Sequence, residues 1–181
     1  MHLRLCAAAI ASLAASTQAS IVGSADLTPT PLGGGLYHYD AAVHNTGTTK
    51  IAAFWFAWVP GANFMSVAPT NVQSPPGWTF TISNEGGATD GFGIEWTTTT
   101  ANALNTSSSL SGFGFDTTET PAALTGFSAK HPTYRATTSF LYVGTPLLTQ
   151  GVQIIASVVP APSTAAWVLA AALAAGRRRR V

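Results

Sequence analysis

His38, Asp40 and His44 occupy alternate positions of the stretch LYHYDAAVH, residues 36–44. Residues two apart in a strand share a face. These three therefore lie on one side, with Tyr37, Tyr39, Ala41 and Val43 on the other. Two imidazoles and a carboxylate are ligands that suit a transition metal. The spacing argues against one. Extended chain separates His38 from His44 by roughly 20 Å, so a single strand cannot deliver both to one ion. The same alternation describes the wet face of an antiparallel sheet, and that is the reading adopted. No metal ligand set and no cofactor is expected.

The run Phe54-Trp55-Phe56-Ala57-Trp58 carries a different chemistry. In a regular strand Trp55 points one way and Phe54, Phe56 and Trp58 point the other. An open face of such rings would stack on sugars, as in carbohydrate-binding modules. A strand covered on both faces would bury them instead, and exposed rings of this size invite aggregation. Phe54, Trp55, Phe56 and Trp58 are thus the candidate ligand platform, with burial as the competing outcome. The hydroxyl-rich tract at 97–109, TTTTANALNTSSS, reads as a strand end and a solvated loop, and is a candidate for O-linked glycosylation. Gly-Phe-Gly recurs at 91–93 and 112–114, at a spacing too irregular to be a repeat.

Catalytic motifs are missing. There is no nucleophile elbow, Walker loop, HExxH or DxDxDG sequence. His38, His44 and His131 have no partner at a recognisable spacing. The expectation is a non-catalytic protein. A hydrolase of unrecognised type is the alternative, because triads assemble from residues distant in sequence.

The elements that would position these residues are strands. Thr, Ser, Gly, Asn and Pro are abundant, and charged residues make up only 8% of the chain. Turn signals recur at 31–35, 45–47, 60–61, 75–77, 85–87 and 90–91. Short β-rich runs with such punctuation predict an all-β, single antiparallel β-sandwich, immunoglobulin-like or jelly-roll-like. Residues 36–61 read as a β-hairpin, with Leu36–His44 turning at Asn45-Thr46-Gly47 into a long strand Lys50–Val59. Further strands are expected at 78–83, 93–99, 110–115, 137–143 and 152–157, with no helix between the two ends of the chain. The hairpin is weakly similar to the immunoglobulin-like repeats of bacterial surface proteins.

Both ends read as addresses. Residues 1–19 have Arg4 in a short basic start, an apolar run from Leu5 to Ala15, and the small-x-small site Thr17-Gln18-Ala19. This is the pattern of a secretory signal peptide cleaved after Ala19. Cys6, the single cysteine, lies inside it, so the exported region has no disulfide and depends on its core. At the other end, Ala165 to Gly176 is an uncharged run followed at once by Arg177, Arg178, Arg179 and Arg180. A helix of that length is roughly 18 Å long, against a bilayer core of about 30 Å. Pro160 and Pro162 prevent its extension backward. The arginines favour the cytoplasmic side.

This order of parts resembles the PEP-CTERM sorting signal of Gram-negative bacteria. Val159, Pro160, Ala161, Pro162 and Ser163 stand in the motif positions, Trp167–Ala175 in the short transmembrane stretch, and Arg177–Arg180 in the basic stop cluster. Ala161 departs from the glutamate usual in the family. The resemblance implies recognition by an exosortase, passage through the secretion machinery, a transient stay in the inner membrane, and cleavage near the motif. It implies delivery to the cell surface or extracellular matrix, with exopolysaccharide as a possible associate. The organisation is then a signal peptide at 1–19, a β-sandwich at 20–157 and a sorting signal at 158–181.

The signals also hold most of the positive charge. The chain carries +1 overall, with five of its eight basic residues in the two signals. Residues 20–158 retain three basic against seven acidic residues, a net −4. A mildly acidic domain has no electrostatic footprint for nucleic acid and no polybasic patch for anionic lipid.

Overall fold

The computed structural model describes residues 20–143 and 150–160. Ala19, Ala161, Pro162, Ser163, the arginine cluster and the apolar run at 165–176 lie outside the described residues. Among those described, no helix is long and apolar enough to cross a membrane.

The first hairpin is one that sequence patterning hides. β1 (Gly23–Gly33) contains Pro29 and Pro31, yet it pairs antiparallel along its length with β2 (Leu36–Asn45). The prolines are tolerated because, among the described residues, β1 has no other strand neighbour there. Its second partner pairs only with Asp26 and Leu27, so no ladder hydrogen bond is required of the proline nitrogens on that side. The turn between the strands is made by Gly33, Gly34 and Gly35, all at positive φ, which glycine adopts without a Cβ clash.

The expected hairpin of 36–61 does not form. β3 (Ala53–Phe56) lies in the opposite sheet from β2. Asn45 explains the corner. Its side-chain amide donates to the carbonyls of Thr49, Leu104 and Asn105, and its Oδ1 accepts from Gly47 N–H. The turn thus carries the chain across the sandwich. Nor is Lys50–Val59 one strand. It is interrupted at Ala57, beyond which β4 (Trp58–Val59) pairs with β5 (Ala62–Asn63) as a separate ribbon.

The remaining strands are β6 (Thr70–Gln73), β7 (Trp78–Ser83), β8 (Gly93–Thr98), β9 (Ser108–Thr117), β10 (Thr138–Tyr142), β11 (Gly151–Ile155) and β12 (Ser157–Val158). They complete two five-stranded sheets, β12-β1-β2-β9-β6 and β11-β10-β3-β8-β7, which pack as an all-β sandwich. Pairing is antiparallel except for β12, which runs parallel to β1. A short helix, α1 (Pro121–Thr125), departs from the helix-free expectation. Thr120 caps it by accepting Ala123 N–H, Pro121 opens it, and Leu124 buries it in the core.

The core interdigitates aromatic rings from both sheets. Phe54 meets Phe113 edge-on with centroids 5.7 Å apart, and Phe56 meets Phe115 at 5.1 Å. Trp96 stacks on Phe54 at 5.4 Å and donates its indole N–H to the Gln73 carbonyl. With no disulfide in the described domain, these contacts and the backbone ladders hold it together.

Candidate functional site

The aromatic run resolves into two groups. Phe54 and Phe56 enter the main core and are fully buried. Trp55 and Trp58 form a second cluster on the other side of the sheet with Ala53 and Tyr142, flanked by Phe140. Regular alternation would place Trp58 with the phenylalanines. Ala57 instead takes φ 55, which inverts the alternation by one residue. Trp58 therefore swings to the Trp55 side, and the two rings lie 4.1 Å apart. Trp58 also meets Phe140 edge-on at 5.8 Å. Trp55 is 4% exposed and Trp58 6%. The expected platform of Phe54, Phe56 and Trp58 on one face is thus corrected, and none of the four rings offers an open stacking surface. The indole N–H groups of Trp55 and Trp58 are buried without a hydrogen-bond partner among the described residues.

The polar chemistry lies on the outer face of the β12-β1-β2-β9-β6 sheet. Register places Ser24, His44 and Ser109 in one row and Thr30, His38 and Asp116 in another. The expected wet face of β2 is therefore present, but its histidines serve different partners. His44 Nε2 lies 3.1 Å from Asp26 Oδ2, and His44 Nδ1 lies 2.7 Å from Ser109 Oγ. His38 Nδ1 lies 2.5 Å from Asp116 Oδ1, and its Nε2 lies 3.4 Å from Asp40. Asn71, held at φ 46, donates to the other Asp116 oxygen at 3.1 Å. Gly114 leaves room for the His38 ring, since a Cβ there would stand 3.2 Å from it.

The contact order Asp26–His44–Ser109 matches that of a nucleophile relay. It spans three adjacent strands on an open sheet face, where all three side chains are partly or fully exposed. Between the rows, Asp26, Thr28, Asp40, Ala42, Ser111 and Gly112 line a shallow depression. Nothing in this arrangement excludes water from a reacting centre, which lowers the value of any charge placed there.

A third histidine belongs to a buried hub absent from any sequence motif. Asp90 accepts from Asn63 N–H at 2.9 Å, from the Asn63 side-chain amide at 2.6 Å and from Gly86 N–H at 3.1 Å. His131 Nε2 lies 2.8 Å from it. Burial alone would raise the Asp90 carboxyl, but hydrogen bonds from Asn63, His131 and Gly91 hold it well below the usual carboxylate range. The hub ties the β5 ribbon, the loop before β8 and the loop before β10 together. Ser128 reinforces it by donating to the Phe64 carbonyl and accepting from Lys130 and His131 N–H.

Glu119 is the opposite case. One oxygen accepts Ser66 N–H at 2.5 Å and the other is buried without a partner among the described residues, so burial pushes its carboxyl up. Glu95 is also raised, first by burial and then by the charge of Glu85.

No family model matches the chain, and no curated protein matches it. Two solved structures of the GH20 exo-β-N-acetylglucosaminidase from Vibrio harveyi resemble it, one in complex with N-acetylglucosamine and one an inactive mutant. Each is 12% identical, with a TM-score of 0.42, over 76% of this chain and 18% of the enzyme. The chain spans less than a fifth of that enzyme's length, and a likeness at this level assigns it neither activity nor substrate.

Proposed function

We propose that this chain is an exported, non-catalytic β-sandwich module, sorted through residues 159–180 by an exosortase to the cell surface or extracellular matrix. The observation that supports this reading is where the sandwich closes. β12 pairs with β1, and Val159 N–H donates to the Leu27 carbonyl at 2.8 Å. That bond fastens the chain at the first residue of the Val-Pro-Ala-Pro motif. Among the described residues, the sheet hydrogen bonds reach Val159 and stop there, directly before Pro160.

The reading fits a domain that lives on packing alone and presents a polar, mildly acidic sheet face outward. That face, with its Asp, His and Ser side chains, is the surface on which contact with exopolysaccharide would rest. The aromatic run is not, because its rings are covered. The test is export with and without an exosortase. Co-expression should move the protein from the membrane fraction to the medium, and Pro160→Ala with Pro162→Ala should hold it back. Release that is indifferent to both would contradict the proposal.

A further inference from the structure

The four outer strands of a sandwich are its exposed edges, and natural proteins guard such edges against pairing with another chain. Three are guarded or short here. β12 is two residues long and runs into Pro160. β6 is four residues long, with Asn71 at positive φ and a register shift. β11 has five residues and crosses to the other sheet after one more. β7 differs. Its sequence Trp-Thr-Phe-Thr-Ile-Ser has no charge and no proline, and its pairing with β8 runs without a bulge. Among the described residues β8 is its only strand partner.

Two large apolar side chains accompany this edge. Phe80 is 44% exposed and Ile82 39%. Register sets them opposite Trp96 and Ile94, which are fully buried in the core. They therefore lie on the inner face of the sheet, at its rim. Thr79 and Thr81 lie on the outer face, opposite Thr97 and Glu95.

We propose that β7 is a self-association edge, pairing antiparallel with β7 of a second copy about a two-fold axis at Thr81. In that register Phe80 faces the partner's Ile82 and Ile82 faces the partner's Phe80, so each exposed ring or branched chain covers its counterpart. An axis at Phe80 would instead oppose Ile82 to the already buried Trp78. A one-residue slip would mix the two faces. Thr81 meets its own copy on the outer face, with no like charges across the axis. The β11-β10-β3-β8-β7 sheet then continues into its copy as one ten-stranded sheet, and the two cores become continuous. A single strand pair is small beside the ~1,200 Å² of a standard interface, so the dimer dissociates on dilution. This inference does not depend on the sorting reading.

Sedimentation velocity on the full chain in mild detergent, over a wide concentration range, tests it. The expected result is a reversible monomer–dimer equilibrium, weakened about tenfold or more by Thr81→Lys, because like charges then meet across the axis. Within its own chain the introduced ammonium would face Glu95, so the melting temperature of that variant should hold. If it unfolds, Thr81→Cys in a Cys6→Ser background decides, and mild oxidation should give a disulfide dimer. A monomer at every concentration, open-ended polymers, unweakened association of a folded Thr81→Lys variant, or no cross-link would each overturn the proposal.

Discussion

Trp55 and Trp58 are three residues apart in one strand-like run, yet they stack on the same side of the sheet at 4.1 Å. The cause is Ala57, a buried non-glycine residue at φ 55. That conformation costs on the order of 1 kcal/mol or more. Ala57→Gly relieves it but loses a buried methyl worth about 0.8 kcal/mol and adds chain entropy. The expected net change is within about 1 kcal/mol. Ala57→Val places a branched side chain in the left-handed region and should cost about 2 kcal/mol or more. Urea unfolding of the two variants checks this, and equal effects would show that the inversion is not what sets the Trp pair.

Asp90 holds three chain segments through bonds to Asn63, Gly86 and His131. Asp90→Asn turns one acceptor oxygen into a donor facing other donors. A loss of about 2–4 kcal/mol is expected, because buried partners are left unpaired. The urea midpoint reports it, and a loss below about 0.5 kcal/mol, the scale of an ordinary surface change, would mean that the hub is incidental.

The pH profile separates the two kinds of buried acid. Glu119 and Glu95 have raised carboxyls, so their contribution is fully present below about 4.5 and is lost as pH rises through their folded values. Asp90 is lowered, so its contribution is present above about 4 and is lost as pH falls further. The melting temperature should therefore rise from neutral pH toward about 4.5 and fall below about 4. Glu119→Gln should flatten the first limb and Asp90→Asn the second. A profile that falls steadily from neutral pH would contradict these assignments.

Under the proposed non-catalytic reading, the Asp26–His44–Ser109 row is a surface network. His44→Gln and Ser109→Ala should each change stability by less than about 0.5 kcal/mol. A fluorophosphonate probe should not label Ser109. Stoichiometric labelling that disappears in His44→Gln would revive the hydrolase reading.

How far the sequence reveals these features depends on what alternation encodes. The strands around His38 and Trp96 are legible because one face is buried and the other more open. β1 is not, since Pro29 and Pro31 argue against a strand and are permitted only because the β12 pairing ends at Leu27. Asn45-Thr46-Gly47 announces a turn but not whether the chain returns to the same sheet. That is decided by where the Asn45 amide finds carbonyls, at Leu104 and Asn105. The Ala57 inversion is hidden because alanine does not advertise a positive φ. Hydrogen-bond partners lie 18 residues from His44, 41 from His131 and 78 from His38, distances no local pattern spans.

Whether the chain is sorted and cut is decided by the intact mass of the native exported protein, fractionated between membrane and medium. The expected species begins at Ser20 and ends near Pro160, is recovered outside the inner membrane, and carries any added hexose in the 97–109 tract. A mass that retains Arg177–Arg180 in the membrane fraction would contradict the sorting proposal.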